Sequence, residues 1–347
     1  MPALENRTPF AAINFLSATT SGADCIVLCV AGRFDLPRGD RAPTGAPPLS
    51  AEQIPPPIVE KYWGEPGASS LRQESQATYH RPATDVYLIG QAHVPRGLRV
   101  PQSVVRVQVG RLRKQAQVFG RRVWQRGLGG LVPSKPEPFL SMPLTYERSF
   151  GGVAGKEGDQ LRPFEHRNPV GVGLYLNEDE ALDSPLPNVE DPDALITSWT
   201  DRPAPVGFGP VARSWSPRLG YAGTYDPRWV EERAPLWPLD FDLRFFQAAS
   251  PGLIASSWLK GGELVTLEGV SSDGTMAFTL PAHRLAVQSV FRRRVDHRML
   301  VLDAIQIEPD ERSVTLIWRA SVPAHRELAD HEHCMIRELK PGEELPA

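Results

Sequence analysis

His331-Glu332-His333-Cys334, with His325 nearby, is the one cluster in the chain with metal-ligand chemistry. On a strand, His331 and His333 would share a face and could hold one ion. Zinc takes three or four protein ligands, no third is evident at a good distance, and the HExxH spacing is absent. The reading is a solvated terminus without a metal. Asp240 and Asp242 flank Phe241 and would share a face in extended chain. Two carboxylates that close can split their pKa values and do acid-base work on a glycoside. Pro235, Pro238 and the surrounding rings favour a different use, with each Asp capping backbone N–H groups in a turn. Gly207-Phe208-Gly209-Pro210-Val211-Ala212 matches GxGxxA, but prolines precede it and Pro210 removes an N–H where a phosphate would need one. Ser141, Ser149, Ser198 and Ser214 have no GxSxG context. The expectation is a protein with no catalytic residues, metal or cofactor.

Arg111, Arg113, Lys114, Arg121, Arg122 and Arg126 form a basic band around one hairpin, and Arg292 to Arg294 form another. Phe119 and Trp124 lie between the charges and could stack bases. The formal net charge is −3, which is unlike a nucleic-acid binder, so a solvated strand face is the expectation.

The elements that would carry these groups are mainly strands. Proline accounts for 35 of 347 residues, about twice the usual share of roughly 5%, so long helices are not expected. Phe10 to Phe15 and Cys25 to Val30 read as short apolar strands, and Thr84 to Pro95 as another. Val105, Val107 and Val109 alternate with Val104, Arg106 and Gln108, and Lys114 to Trp124 returns as the second arm of a half-exposed hairpin. Glu263 to Gly269 and Thr275 to Leu280 flank the turn signal SSDG. Met299 to Ile307 and Ser313 to Ala320 flank EPDER, with Val314, Leu316 and Trp318 on one face. Ser50 can cap a turn of helix over Ala51 to Ile54 before Pro55 stops it. Cys25 and Cys29 are too far apart along a strand for a disulfide and read as core thiols in a reducing compartment. There is no signal-peptide pattern and no membrane-length apolar run, so a cytoplasmic protein without a membrane partner is expected. The fold class is mainly β with few short helices. Two antiparallel modules, sandwich or barrel-like, are expected at 1–140 and 251–347. An irregular segment rich in Pro, Gly and aromatics joins them over 141–250.

That middle holds Phe208, Trp215, Tyr221, Tyr225, Trp229, Trp237, Phe241, Phe245 and Phe246 without clean periodicity. It is too aromatic for disorder and reads as an ordered, Pro-pinned connection packed on something.

Several strings look familiar together. VFGRRVW (Val118 to Trp124), SFGG (Ser149 to Gly152), NPVGVG (Asn168 to Gly173) and LPNVEDP (Leu186 to Pro192) are followed by PVGFGPVARSWSPR (Pro205 to Arg218). AGTYD (Ala222 to Asp226) and PLDFDLRFFQAA (Pro238 to Ala249) complete the series. The chain resembles, over nearly its whole length, the bacterial domain-of-unknown-function family 2169, encoded beside type VI secretion genes. The resemblance implies a cytoplasmic adaptor or chaperone that stabilises toxic effectors and loads them onto the spike, and it carries over no catalytic residue. This chain departs from the family at Ser250-Pro251-Gly252-Leu253 and at Gly261-Gly262-Glu263, where acidic groups are usual. Its partner is expected to differ accordingly.

The leading expectation is a non-catalytic binding module whose partner is a secreted effector or spike-tip protein. Arg213, Trp215, Arg218, Tyr225, Asp226, Trp229, Asp240 and Asp242 are the candidate contacts, because Trp, Tyr and Arg anchor interfaces. The competing use of the rings is to staple the β modules together. The alternative function is a carbohydrate-active or metal-assisted hydrolase using Asp240 and Asp242, or His331 and His333.

Overall fold

The structure is a computed structural model that describes residues 3–36, 45–94, 97–156, 158, 161–324 and 328–345. Its organising strand is Asp24–Asp35, whose apolar, β-branched run is buried on both faces. A strand of that kind needs neighbours on each side. It pairs with Ala11–Ala18 on one edge and with Ser313–Pro323 on the other, both antiparallel. Val301–Glu308 and then Asp85–Leu88 complete this five-stranded sheet. A second five-stranded sheet runs Val189–Glu190, Leu112–Phe119, Gln102–Val109, Leu264–Glu268 and Met276–Thr279. A four-stranded sheet orders Ala3–Asn6, His331–Glu338, Leu285–Phe291 and Arg294–Met299.

The chain is mainly β, as expected, and no sheet closes into a barrel. Its α-helices among the described residues are short, Glu178–Ala181 and Pro227–Glu232. The expected boundaries at 140 and 251 do not separate sheets. Each of the three sheets joins strands from both ends of the chain, so the terminal segments are one interleaved body. The reason is burial: one apolar cluster takes Leu28, Val86, Val107, Phe208, Leu267, Val287, Leu316 and Ile336 together. Separate modules would leave the inner face of each sheet wet.

The alternation around Val105, Val107 and Val109 is realised, with these three buried and Arg106 exposed. The SSDG and EPDER hairpins form, and Val314, Leu316 and Trp318 are buried. Thr84 to Pro95 is not one strand. It bends between Asp85–Leu88 and Gln91–His93, which pair with different partners, and Pro95 lies outside the described residues. A side chain on Gly90 at that bend would begin 3.0 Å from Asp310 Oδ2. Ser50 caps no helix. Its hydroxyl donates to Asp35 Oδ1, and Gln53 brackets the backbone of Arg33, so the segment clips onto the central strand instead. All three cysteines are free and buried, and burial pushes the Cys29 thiol up to about 11. No helix among the described residues is long and apolar enough to cross a membrane.

Candidate partner-binding surface

The middle segment is rooted in a buried ionic network. Arg81, Glu74, Asp85, Asp303, Arg218 and Arg319 are all buried. Arg81 lies 3.6 Å from both Asp85 and Asp303, and Arg319 binds Asp303. Arg319 also donates to the carbonyls of Gln76 and Thr78, and Arg81 Nε to that of Phe246 at 2.9 Å. Three stretches of chain are thereby tied: the loop before Asp85, the C-terminal hairpin and the end of the aromatic segment. Buried charges persist only when paired and hydrogen-bonded, which explains this density.

Two of the candidate contact residues belong to this root and not to the surface. Trp215 is 5% exposed and sits edge-on to Tyr146, with ring centroids 5.3 Å apart. Arg218 is 3% exposed and holds both oxygens of Glu74, at 2.8 and 3.1 Å. Arg218 also donates to the carbonyls of Val211 and Phe245. Arg218 staples the segment with its bonds turned inward, and Trp215 does so by burial against Tyr146, so neither is presented to a partner. Arg213 is half-exposed and bridges Glu60 at 3.2 Å and Glu74 at 3.4 Å.

Beyond that root the chain makes an excursion from Leu219 to Phe245 that carries the other candidates. Asp226 caps the helix Pro227–Glu232, accepting from Trp229 N at 2.8 Å. Proline at the first helical position needs no N–H partner there. Tyr225 is 52% exposed and packs edge-on against Trp229 at 4.7 Å. Trp229 Nε1 donates to Leu236 O. Asp240 takes both the N–H and the hydroxyl of Thr224, at 2.9 and 2.7 Å. Asp242 caps the next turn through Arg244 N at 2.8 Å. The Thr224 bonds hold Asp240 below the ordinary carboxyl range, and the Arg244 bond does the same for Asp242. Neither is poised as a general acid, which needs a raised pKa. Capping is therefore the role these carboxylates play in the fold. Around them Leu219, Val230 and Leu239 are exposed apolar side chains.

His331 turns Nε2 toward Ser289 Oγ at 2.9 Å and Cys334 Sγ at 3.3 Å, where the strand register shifts. Burial, and then the neighbouring His333, lower its pKa. His325 lies outside the described residues, and no three His, Cys, Asp or Glu among the described residues converge as a metal site requires. In the GxGxxA stretch, Gly207 is needed for packing: a Cβ there would lie 2.1 Å from Tyr146 Cζ. No helix follows it. In the basic band, Arg122 is buried against Glu190 and stacks 3.8 Å over Phe119, so this pair is consumed internally. Lys114 was hidden in that band as one more surface charge. It is half-buried, donating to Ser250 Oγ and Pro251 O at 2.7 Å each, beside a cleft of about 720 Å³ lined also by Arg113, Asp191 and Asp193. Ser250 Oγ accepts from Lys114 and donates to Gly207 O, a three-part link no sequence period marks.

Open β-sheets sharing one core, with a Pro-rich aromatic excursion pinned by buried ion pairs, define a mainly β protein. Within that class, the chain belongs to the family of uncharacterized proteins conserved in bacteria, DUF2169, whose model matches residues 21–319. No curated protein and no solved structure matches it.

Proposed function

We propose that this chain is a non-catalytic accessory protein of type VI secretion, acting in the cytoplasm as an adaptor or chaperone for an effector or spike component. The resemblance of its central strings to a family encoded beside type VI secretion genes supports the secretion context. The observation that carries the binding role is the excursion itself. Its exposed Leu219, Tyr225, Val230 and Leu239 stand on a base fixed by Arg218, Glu74 and Trp215. Apolar and aromatic groups held rigid lose little entropy when a partner covers them. The hydrolase alternative gains no support from Asp240 and Asp242, whose oxygens are committed to Thr224 and Arg244. The test is co-expression with a toxin-like gene encoded beside this one and purification through a tag on this chain. Co-purification, or effector that stays in solution only in its presence, supports the role. Neither effect, in a system where both proteins are expressed, removes it.

A further inference from the structure

Lysine is scarce in this chain: Lys61, Lys114, Lys135, Lys156, Lys260 and Lys340 are the whole set. Five are exposed, and Lys114 is the one drawn inward. The period of the strand explains this. Lys114 stands opposite Val107 in Leu112–Phe119, on the face that also buries Ala116 and Val118.

The surroundings of its amine suit the uncharged form. Nζ donates to Ser250 Oγ and to Pro251 O, at 2.7 Å each. Ser250 gives its own proton to Gly207 O, so toward Lys114 it accepts. Both acceptors are neutral, and among the described residues no carboxylate lies within ion-pair distance of Nζ. A neutral amine has two N–H groups and one lone pair, so two acceptors use its hydrogens and leave the pair free. An ammonium ion would carry a third N–H without an acceptor. The Phe208 ring favours positive charge, but its centroid is 5.6 Å away, too far to accept that N–H. Burial takes the amine down to about 7, with Asp191 opposing the drop. Lys114 also lines the cleft of about 720 Å³, whose wall it shares with the apolar Val107, Ala204, Pro205 and Val206. Desolvated lysines of this kind are nucleophiles toward carbonyl compounds.

We infer that Lys114 is a covalent ligand site, whose amine takes an aldehyde from the cleft as a reversible imine. An aldehyde needs only a neutral amine and room for one small carbonyl group, whereas an acyl donor would also need its leaving group held in place. The nitrogen lone pair forms a C–N bond at the carbonyl carbon, and the carbonyl π pair moves to oxygen. A proton passes from nitrogen to that oxygen. The carbinolamine then expels water as the C=N bond forms. Amine and aldehyde give imine and water, so nothing is oxidised or reduced. The inference stands apart from the adaptor reading and survives or fails without it.

The probe is benzaldehyde with cyanoborohydride, which reduces an imine to a stable secondary amine. It is applied to the full-length chain at pH 7, and all the lysines are followed by peptide mass mapping. At that pH about half of Lys114 is neutral, against roughly 1 in 2,500 of an ordinary lysine. Lower basicity and restricted access reduce that advantage, so label at Lys114 should accumulate at least about tenfold faster than at any exposed lysine. The preference should vanish in the urea-unfolded chain, and without cyanoborohydride the adduct should be lost on dilution. Label at Lys114 no faster than at the exposed lysines overturns the inference. So does a preference that persists in the unfolded chain, which would put its cause in the local sequence and not in the cleft. An adduct that survives dilution without the reductant shows a different bond and overturns the imine.

Discussion

Arg218 and Glu74 meet in the interior from distant parts of the chain, with Arg218 Nη2 2.8 Å from Glu74 Oε1. Both are almost fully buried, and Arg218 also donates to the carbonyls of Val211 and Phe245. The aromatic excursion is therefore held at its base by charge as well as by Trp237, Phe241 and Phe245 packed around Phe246.

Removing one partner of such a pair strands the other. Arg218→Ala should cost about 3–5 kcal/mol of stability, measured by urea unfolding. The pair also sets an acid limit. Burial opposes ionisation of Glu74, but the charge and hydrogen bonds of Arg218 outweigh it and keep the carboxyl below its ordinary value. A depressed carboxyl stabilises above its unfolded pKa, roughly 4.3, and loses that contribution as pH falls through the folded value. The stability gap between wild type and Glu74→Gln should be full at pH 6 and shrink as the solution is acidified below about 4. A gap that is constant with pH would show that Glu74 does not titrate with folding.

The strands marked by alternation, turn residues or a continuous apolar run were legible in the sequence: Val105 to Val109, the two C-terminal hairpins and the run around Cys25 all lie where these signals put them. Leu285–Phe291 and Arg294–Met299 were not, because the Arg292 to Arg294 run masks a hairpin turn as a charge cluster. Which strands share a sheet was not legible either. Pairing of Asp24–Asp35 with Ser313–Pro323 is a tertiary choice driven by a common core, and local pattern carries no trace of it. In the candidate site, the caps at Asp240 and Asp242 could be read from neighbouring prolines and rings. The inward turn of Trp215 and Arg218 could not, since an anchor for a partner and a staple for the fold have the same composition.

That distinction separates two substitutions. Trp215→Ala empties a buried site beside Tyr146 and should destabilise by about 3–5 kcal/mol, lowering the melting temperature before any effect on binding is seen. Tyr225→Ala removes an exposed ring and should leave stability within about 0.5 kcal/mol while reducing partner capture. Calorimetry and pull-down on the two purified variants give the comparison. Equal loss of stability in both would mean that the excursion belongs to the core.

Gly207 tests the GxGxxA stretch. A methyl group there meets the Tyr146 ring, which is itself packed on Trp215. Overpacking of this kind costs about 1–3 kcal/mol or more, so Gly207→Ala should lower the unfolding midpoint clearly. Titration of the wild-type chain with a dinucleotide should produce no thermal shift. A saturable shift lost in Gly207→Ala, with stability unchanged, would restore the phosphate-binding reading.

Lys114 should give the chain an alkaline-side pH dependence. Burial pushes its amine down to about 7, with Asp191 opposing the drop. In the unfolded chain the same amine titrates near roughly 10.4. Between these values the unfolded state binds more protons, so folding stability rises with pH; below about 7 both states hold the proton and the penalty is full. Lys114→Met removes this titration together with the bonds to Ser250 Oγ and Pro251 O. The lost bonds shift the whole curve by a constant, whereas the lost titration changes its slope. Urea unfolding from pH 6.5 to 9.5 should therefore show wild type gaining on Lys114→Met as pH rises. Parallel curves would mean that Ser250 and Pro251 keep the ammonium ion at its ordinary pKa, and that the wall of the cleft is fully charged at neutral pH.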